Sequence, residues 1–284
     1  MTTQHQFPKH WPALGVIFLS ILVPYIFASF FVTPEDVTHP ENIRMYIFLG
    51  EFFIIIPSLI YLLLKKYPVR TVYRFWPAPA AALLWAAVFG LSISVLGDEL
   101  DRLIALFIKP PDWLADSSRL FLIHSVSDAV LIIGSIVIVA GLSEELLFRG
   151  FLQTTLEFRT QDVTKAVLLT ALAFAMLHMN TWWILQIYLF GVALSYLSWR
   201  TQSIFPGVVT HMGINGMAIL FTNLDAAGEL GWYEMGDHVS VVWLLLAGGG
   251  FYFSILGINK IYPLAARVSR TIQAAPPGDN GSEE

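Results

Sequence analysis

The stretch Gly141-Leu142-Ser143-Glu144-Glu145-Leu146-Leu147-Phe148-Arg149-Gly150 follows directly on the apolar run Leu131 to Val139. It sets two carboxylates and a guanidinium beside a segment that belongs in hydrocarbon. A central Asp, Lys or Arg in a membrane helix costs about 2.5–3.5 kcal/mol even on insertion scales. A chain that keeps three charges there has a use for them. If the segment is helical, Glu145 and Arg149 are four residues apart, share a face and can pair. Glu144 is then the freer carboxylate. The competing reading is a helix that has left the membrane and holds its charges in water.

Composition supports the first reading. The chain has 284 residues, 56% hydrophobic and only 13% charged, against roughly a quarter charged in an ordinary soluble domain. Mean hydropathy is +0.66. Several apolar runs approach or exceed the roughly 20 residues needed to cross a bilayer. The expected fold class is all-α, a polytopic membrane bundle of about eight helices. With no cysteine, disulfides, thiolate metal sites and a cysteine nucleophile are excluded. The first apolar run, Trp11 to Val32, is longer than a signal-peptide core of roughly 7–15 residues and is read as a retained span.

Eight spans follow in order: Trp11–Val32, Ile43–Leu64, Pro79–Gly97, a fourth starting between Leu120 and Asp128, then Val163–Met179, Trp182–Trp199, Ser203–Asn223 and Val239–Ile258. Pro24 and Pro57 are expected kinks. Residues 1–262 form a single transmembrane domain. Residues 263–284 are a cytoplasmic tail whose end, Ala274–Glu284, reads as disordered. Eight spans put both termini on one side. That side collects Lys9, Lys65, Lys66, Arg70, Arg74, Arg159, Lys165, Arg200, Lys260, Arg267 and Arg270; the other has Arg44, Arg102, Lys109 and Arg119. This bias puts both termini in the cytoplasm. The expected location is a prokaryotic cytoplasmic membrane. The partners are the lipid bilayer and a membrane protein or peptide substrate, with no nucleic acid.

The fourth helix could stop near Ser143 or run on to about Phe158. At 1.5 Å per residue, Glu144 stands about 21 Å above Phe158, and His178 about 20 Å above Lys165 on the next helix. Only the long helix brings Glu144 and His178 to one depth. Glu145, Arg149 and Gln153 then form a stripe at four-residue spacing, expected to face a polar cavity. Taken alone, His178 reads equally as a helix-end histidine near the outer interface. His211 and Asn215, four apart on the seventh span, read alone as an interhelical hydrogen-bonding pair. Glu51 and Asp128 have no motif partner and are read as structural. Gly248-Gly249-Gly250 is read as a close-packing site. G-x-S-x-G and H-E-x-x-H are both absent, and with them the common serine hydrolase and zinc protease signatures.

Glu144-Glu145-x-x-x-Arg149, Phe174-x-x-x-His178 and His211-x-x-x-Asn215 stand in order on three spans. This resembles the CPBP family of intramembrane proteases, which includes type II CAAX prenyl endopeptidases and bacterial Abi-type proteins. The resemblance covers about Leu131–Asn223. It implies an α-helical fold with a site sunk below the cytoplasmic surface, and hydrolysis of a peptide bond in a membrane-embedded or lipid-anchored substrate. By position, it implies that Glu144 activates water with help from His178. His211 and Asn215 would stabilise the oxyanion, while Glu145 and Arg149 order the site.

The residue types suit that chemistry without a nucleophilic side chain: a carboxylate base for water and donors for a developing oxyanion. The same atoms also suit a divalent metal such as zinc, with Glu144, His178 and His211 as ligands and an open water position. Cofactors are thus none or one such metal. The alternative class is a non-catalytic membrane scaffold or regulator with a retained polar core. It would tolerate Glu144→Gln.

Overall fold

A computed structural model describes residues 7–31, 33 and 40–264. His5, His39, most of the first acidic loop and the tail with its expected disorder lie outside the described residues. The helices are α1 (His10–Phe31), α2 (Pro40–Phe53), α3 (Ile56–Leu64), α4 (Val69–Val72), α5 (Ala80–Ala105), α6 (Asp112–Ser118), α7 (Val126–Thr160), α8 (Val163–Leu177), α9 (Ile184–Thr201), α10 (Phe205–Ala226) and α11 (Val241–Ile261). Among the described residues, the strands are a two-residue pair, β1 (Glu234–Met235) antiparallel to β2 (His238–Val239). The all-α membrane bundle is as expected.

Five helical segments among the described residues are long and apolar enough to cross a membrane: His10–Phe30, Asn42–Leu64, Ala80–Ala105, Val126–Thr160 and Val241–Ile261. Their outer faces carry Phe18, Leu84, Val130 and Leu245 in the open, as a lipid-facing surface does. The helix α8 is apolar but has only 15 residues, which at 1.5 Å each fall short of a bilayer's hydrocarbon thickness.

Prolines and side-chain caps place the ends of these helices. Pro57 has no N–H, so the Phe53 carbonyl loses its helical donor. The chain turns at Ile54–Ile55 and restarts as α3 with Pro57 in the first turn. Helix α1 continues through Pro24. Helix α7 stops at Gln161, in the left-handed conformation at φ 54°. Asp162 then caps α8, its carboxylate accepting from the Lys165 N–H at 2.9 Å. That four-residue switch makes α7 and α8 antiparallel neighbours.

The fourth span is the long one: α7 runs unbroken through the Glu pair for 35 residues. It is not uniform, however. Residues 133–139 and 146–152 are π-helical, on each side of the α-helical turn that carries Glu144 and Glu145. The third span also differs from expectation. Its helix continues past Gly97 to Ala105, so Asp98, Asp101 and Arg102 ride on its last turns and not on a connector. Of the three consecutive glycines in α11, Gly250 packs against Ser92, whereas Gly248 and Gly249 face open space. The close-packing reading holds for Gly250 alone.

The two ends of the bundle are tied differently. At the basic end, buried Arg74 donates to Ser198 Oγ at 2.9 Å and to Glu157 Oε2 at 2.5 Å. The Arg74 carbonyl accepts from the Ile204 N–H. The connector after α4 thereby holds α7, α9 and the start of α10. Beside it, burial pushes the Tyr73 phenol up to about 12, against the pull of its 2.7 Å bond to Ser58. At the acidic end, Arg102 pairs with Asp98 at 3.1 Å and Glu234 at 2.6 Å. Glu99 accepts from His238 and from the Val239 N–H, both at 2.8 Å. These bonds pin the short hairpin to α5. Burial, and then the Asp98 carboxylate, push the Tyr233 phenol far above its usual range.

Candidate active site

The α-helical turn of α7 points Glu144 and Glu145 to different surroundings. Glu145 and Arg149 are both fully buried, with Arg149 Nη1 donating to Glu145 Oε1 at 2.7 Å. The guanidinium also reaches the Gly191 carbonyl at 3.4 Å and lies 4.0 Å over the Phe174 ring. One turn on, Gln153 donates to the Ser195 carbonyl at 2.9 Å. Glu145, Arg149 and Gln153 thus form the expected stripe, but it faces no polar cavity. It is zipped against α9 and has no exposed surface. At the same level Gly191 lets α9 approach α8, since a Cβ there would stand 3.1 Å from Ala171.

Glu144 is 8% exposed, and its Oε2 faces two imidazoles. His178 Nε2 lies 3.9 Å away and His211 Nε2 3.8 Å away. These distances exceed the 2.7–3.2 Å of a direct hydrogen bond and suit one bridging water. Each ring is fixed from behind. His178 Nδ1 meets the Phe174 carbonyl at 2.8 Å. A carbonyl only accepts, so this nitrogen carries the proton. His211 Nδ1 lies 3.0 Å from Glu145 Oε1, the oxygen that already accepts from Arg149. Both Nε2 atoms are left facing the space in front of Glu144.

Phe174 is the hub of this arrangement. Its ring meets His178, His211 and Phe148 edge-on, at centroid separations of 4.6, 5.7 and 5.2 Å. The sequence reading named it as the motif residue four before His178 but gave it no role. An apolar residue gives no chemical signal of its own. Gly207 was missed for a similar reason: a Cβ there would stand 2.7 Å from Glu145 Oε2, so only glycine lets α10 approach the pair.

Asn215 donates to the Ile136 carbonyl at 2.7 Å. Ile136 lies in the first π-helical stretch, where the switch from i→i+4 to i→i+5 bonding frees a carbonyl. Asn215 also lines a cavity of about 600 Å³ together with His178 and His211. This cavity runs between α5, α9 and α10 to Asp98, Asp101, Arg102, Asp225 and Glu234. Its far end therefore lies at the acidic end of the bundle, among the last turns of α5 and α10 and the hairpin, away from the Arg74 cluster. Asp128 lies apart from the site, paired with Arg44.

Glu144, Glu145, Arg149, His178 and His211 thus stand together, while Asn215 shares a cavity with the two histidines and donates to a backbone carbonyl. The metal alternative fares worse. Among the described residues, no group of three or more His, Asp or Glu side chains is arranged to hold a metal ion. Zinc needs its donors within about 2.0–2.2 Å of one point. Donors at that radius stand roughly 3.3–3.6 Å from one another; Glu144 Oε2 stands 3.8 and 3.9 Å from the two Nε2 atoms, so the three side chains lie a few tenths of an ångström outside a zinc set.

Residues 126–217 match the family described as type II CAAX prenyl endopeptidase Rce1-like. That match, over about a third of the chain, supports the resemblance of its core to the CAAX protease family. It covers α7 to the middle of α10, the helices that bring the three motifs together. Among curated proteins and solved structures nothing matches. The CAAX-protease core points to a protease in the membrane, acting on a membrane-associated peptide or protein.

Proposed function

We propose that this protein is a metal-free intramembrane endopeptidase in which Glu144 is the general base. The observation that carries the proposal is the convergence of two Nε2 atoms on one buried carboxylate oxygen. A water between them gives its proton to Glu144, and its oxygen attacks the carbonyl carbon of the scissile bond. The π electrons move to the carbonyl oxygen. His211, protonated at both nitrogens, donates from Nε2 to that oxyanion while Glu145 balances its charge through Nδ1. The Asn215 amide adds a second donor. The C–N bond then breaks as Glu144, with His178 relaying, returns the proton to the leaving amine.

The substrate is a membrane-embedded or lipid-anchored protein or peptide. Comparative proteomics of membranes carrying wild type or Glu144→Gln tests the reading. An uncleaved precursor accumulating only with the variant supports it; identical membrane proteomes, with both proteins folded, reject it.

The direction of access is part of the same proposal. The charge bias that puts both termini in the cytoplasm puts the acidic mouth of the cavity on the opposite face. The resemblance implies a site near the cytoplasmic face, so the two expectations disagree. We favour the charge bias, because the acidic connectors and the cavity mouth coincide. The chain has no native cysteine, which makes the test clean. Asp225→Cys should react with an impermeant maleimide added outside intact cells, and Lys66→Cys only after lysis. The reverse pattern would restore the cytoplasmic mouth.

A further inference from the structure

Arg74 has no part in the mechanism above and lies outside the residues that match the family. It does not line the cavity either. Its backbone is unusual for an arginine. It stands just past α4, where its own N–H meets the Thr71 carbonyl and the Phe75 N–H meets the Arg70 carbonyl. That pair of bonds needs a left-handed residue, a place usually taken by glycine or asparagine. Arg74 fills it at φ 53°. Of the five non-glycine residues with positive φ among the described residues, it alone is buried. Such a conformation persists where the surroundings over-determine it, and it points to function.

The surroundings are three helices of the site. Arg74 Nη2 donates to Glu157 Oε2 on α7 at 2.5 Å, and Nη1 to Ser198 Oγ on α9 at 2.9 Å. The Arg74 carbonyl accepts at 3.1 Å from the N–H of Ile204, the residue that opens α10. No side chain caps that helix, and its first N–H groups need partners from outside it. From Glu157 a line of bonds climbs α7 in four-residue steps. Gln153 donates to Glu157 Oε1 at 2.8 Å and to the Ser195 carbonyl at 2.9 Å. Arg149 donates to the Gly191 carbonyl and to Glu145. Glu145 meets His211. The line therefore leaves α10 at Ile204 and returns to it at His211, about 10.5 Å further along the helix. A helix held at one point can still swing about it. Held at two, it has a fixed height and rotation.

We infer that Arg74 is a positioning residue for His211: by joining α7, α9 and the start of α10 at the basic end, it fixes α10 and so aims His211 Nε2 toward Glu144. It does not touch the substrate. The role needs arginine, whose rigid plane of donors reaches two helices at once; the compact ammonium of lysine does not span the same gap. The inference rests on the peptidase reading of Glu144 and His211, but the placement of α10 can be measured without any cleavage.

The test uses the full chain in proteoliposomes, with Arg74→Lys, Glu157→Gln and Ser198→Ala beside the wild type. The chain has no native cysteine. Spin labels at Val130→Cys on α7 and Leu220→Cys on α10, both exposed positions, therefore report the separation of these helices by pulsed electron paramagnetic resonance. A fluorogenic farnesylated CAAX-type peptide is the activity probe. In Arg74→Lys the distance distribution shifts or broadens, and kcat falls by on the order of ten- to a hundredfold with KM unchanged, the pattern of a misplaced catalytic group. Glu157→Gln and Ser198→Ala, which each weaken one arm, change both readouts in the same direction by less; they carry the test if Arg74→Lys does not fold. Wild-type distances in the folded variants overturn the inference, as do altered distances with wild-type kcat. If the wild type cleaves nothing but the distances change as stated, the peptidase reading fails and the placement of α10 by Arg74 stands.

Discussion

Glu144 and Glu145 are neighbours in the chain and both are buried, yet they differ in what holds them. Glu145 Oε1 is held by Arg149 at 2.7 Å and His211 at 3.0 Å in a site with no exposure. Glu144 Oε2 has no hydrogen bond from the protein, and two imidazoles stand just beyond bonding range. One carboxylate is tied to Arg149 and His211, and the other is left in front of two imidazoles without a hydrogen bond from the protein. The difference arises because successive residues on a helix point about 100° apart, so one faces α9 and α10 while the other faces the histidines. A buried ion pair is a weak source of net stability but is costly to break. Its value here is geometric: it fixes the back of His211 and so aims Nε2.

Exchanging the two roles should separate them. Glu144→Gln is expected to lower cleavage by at least two to four orders of magnitude, the usual worth of a general base. Its thermal midpoint in detergent should stay at the wild-type value. A marked drop in that midpoint would mean that Glu144 is structural after all. Arg149→Leu does the converse. It leaves Glu145 buried without its cation and should cost about 3–5 kcal/mol of stability. The double variant Glu145→Leu/Arg149→Leu should recover much of that stability but little activity, because His211 loses its support. If the single and double variants unfold alike, the pair is not what organises this seam.

A smaller change sharpens the contrast further. Gly207→Ala places a methyl group against Glu145 Oε2 and should cost about 1–3 kcal/mol as overpacking does. Turnover should fall with little change in KM, since α10 carries His211. Unaltered stability and turnover would show that α10 has more freedom here than the packing indicates.

Much of this was legible in the sequence. Hydropathy runs and turn residues are local signals, and the observed helices follow the eight predicted spans closely, even though five of them meet the length and apolarity of a crossing. Helix rise, together with the apolar residues that continue past the Glu pair, favoured the long version of the fourth span. It also put Glu144 and His178 at one depth, where they meet at 3.9 Å. The pairing of Glu145 with Arg149 followed from their spacing. The stripe through Gln153 was right in register but wrong in surroundings, because one helix's periodicity does not say whether water or another helix lies opposite.

What the chain by itself determined is therefore the order of helices, the depth of the charged turn and the residues able to do chemistry, all set by spacing along one backbone. Tertiary structure alone decided which carboxylate faces the two imidazoles, that Asn215 is tied to the Ile136 carbonyl, and that the cavity leads to the acidic end. Those facts depend on how helices distant in sequence pack side by side. That packing rests on small residues such as Gly191 and Gly207 and on π-helical turns, neither of which announces itself in a pattern of polar and apolar letters.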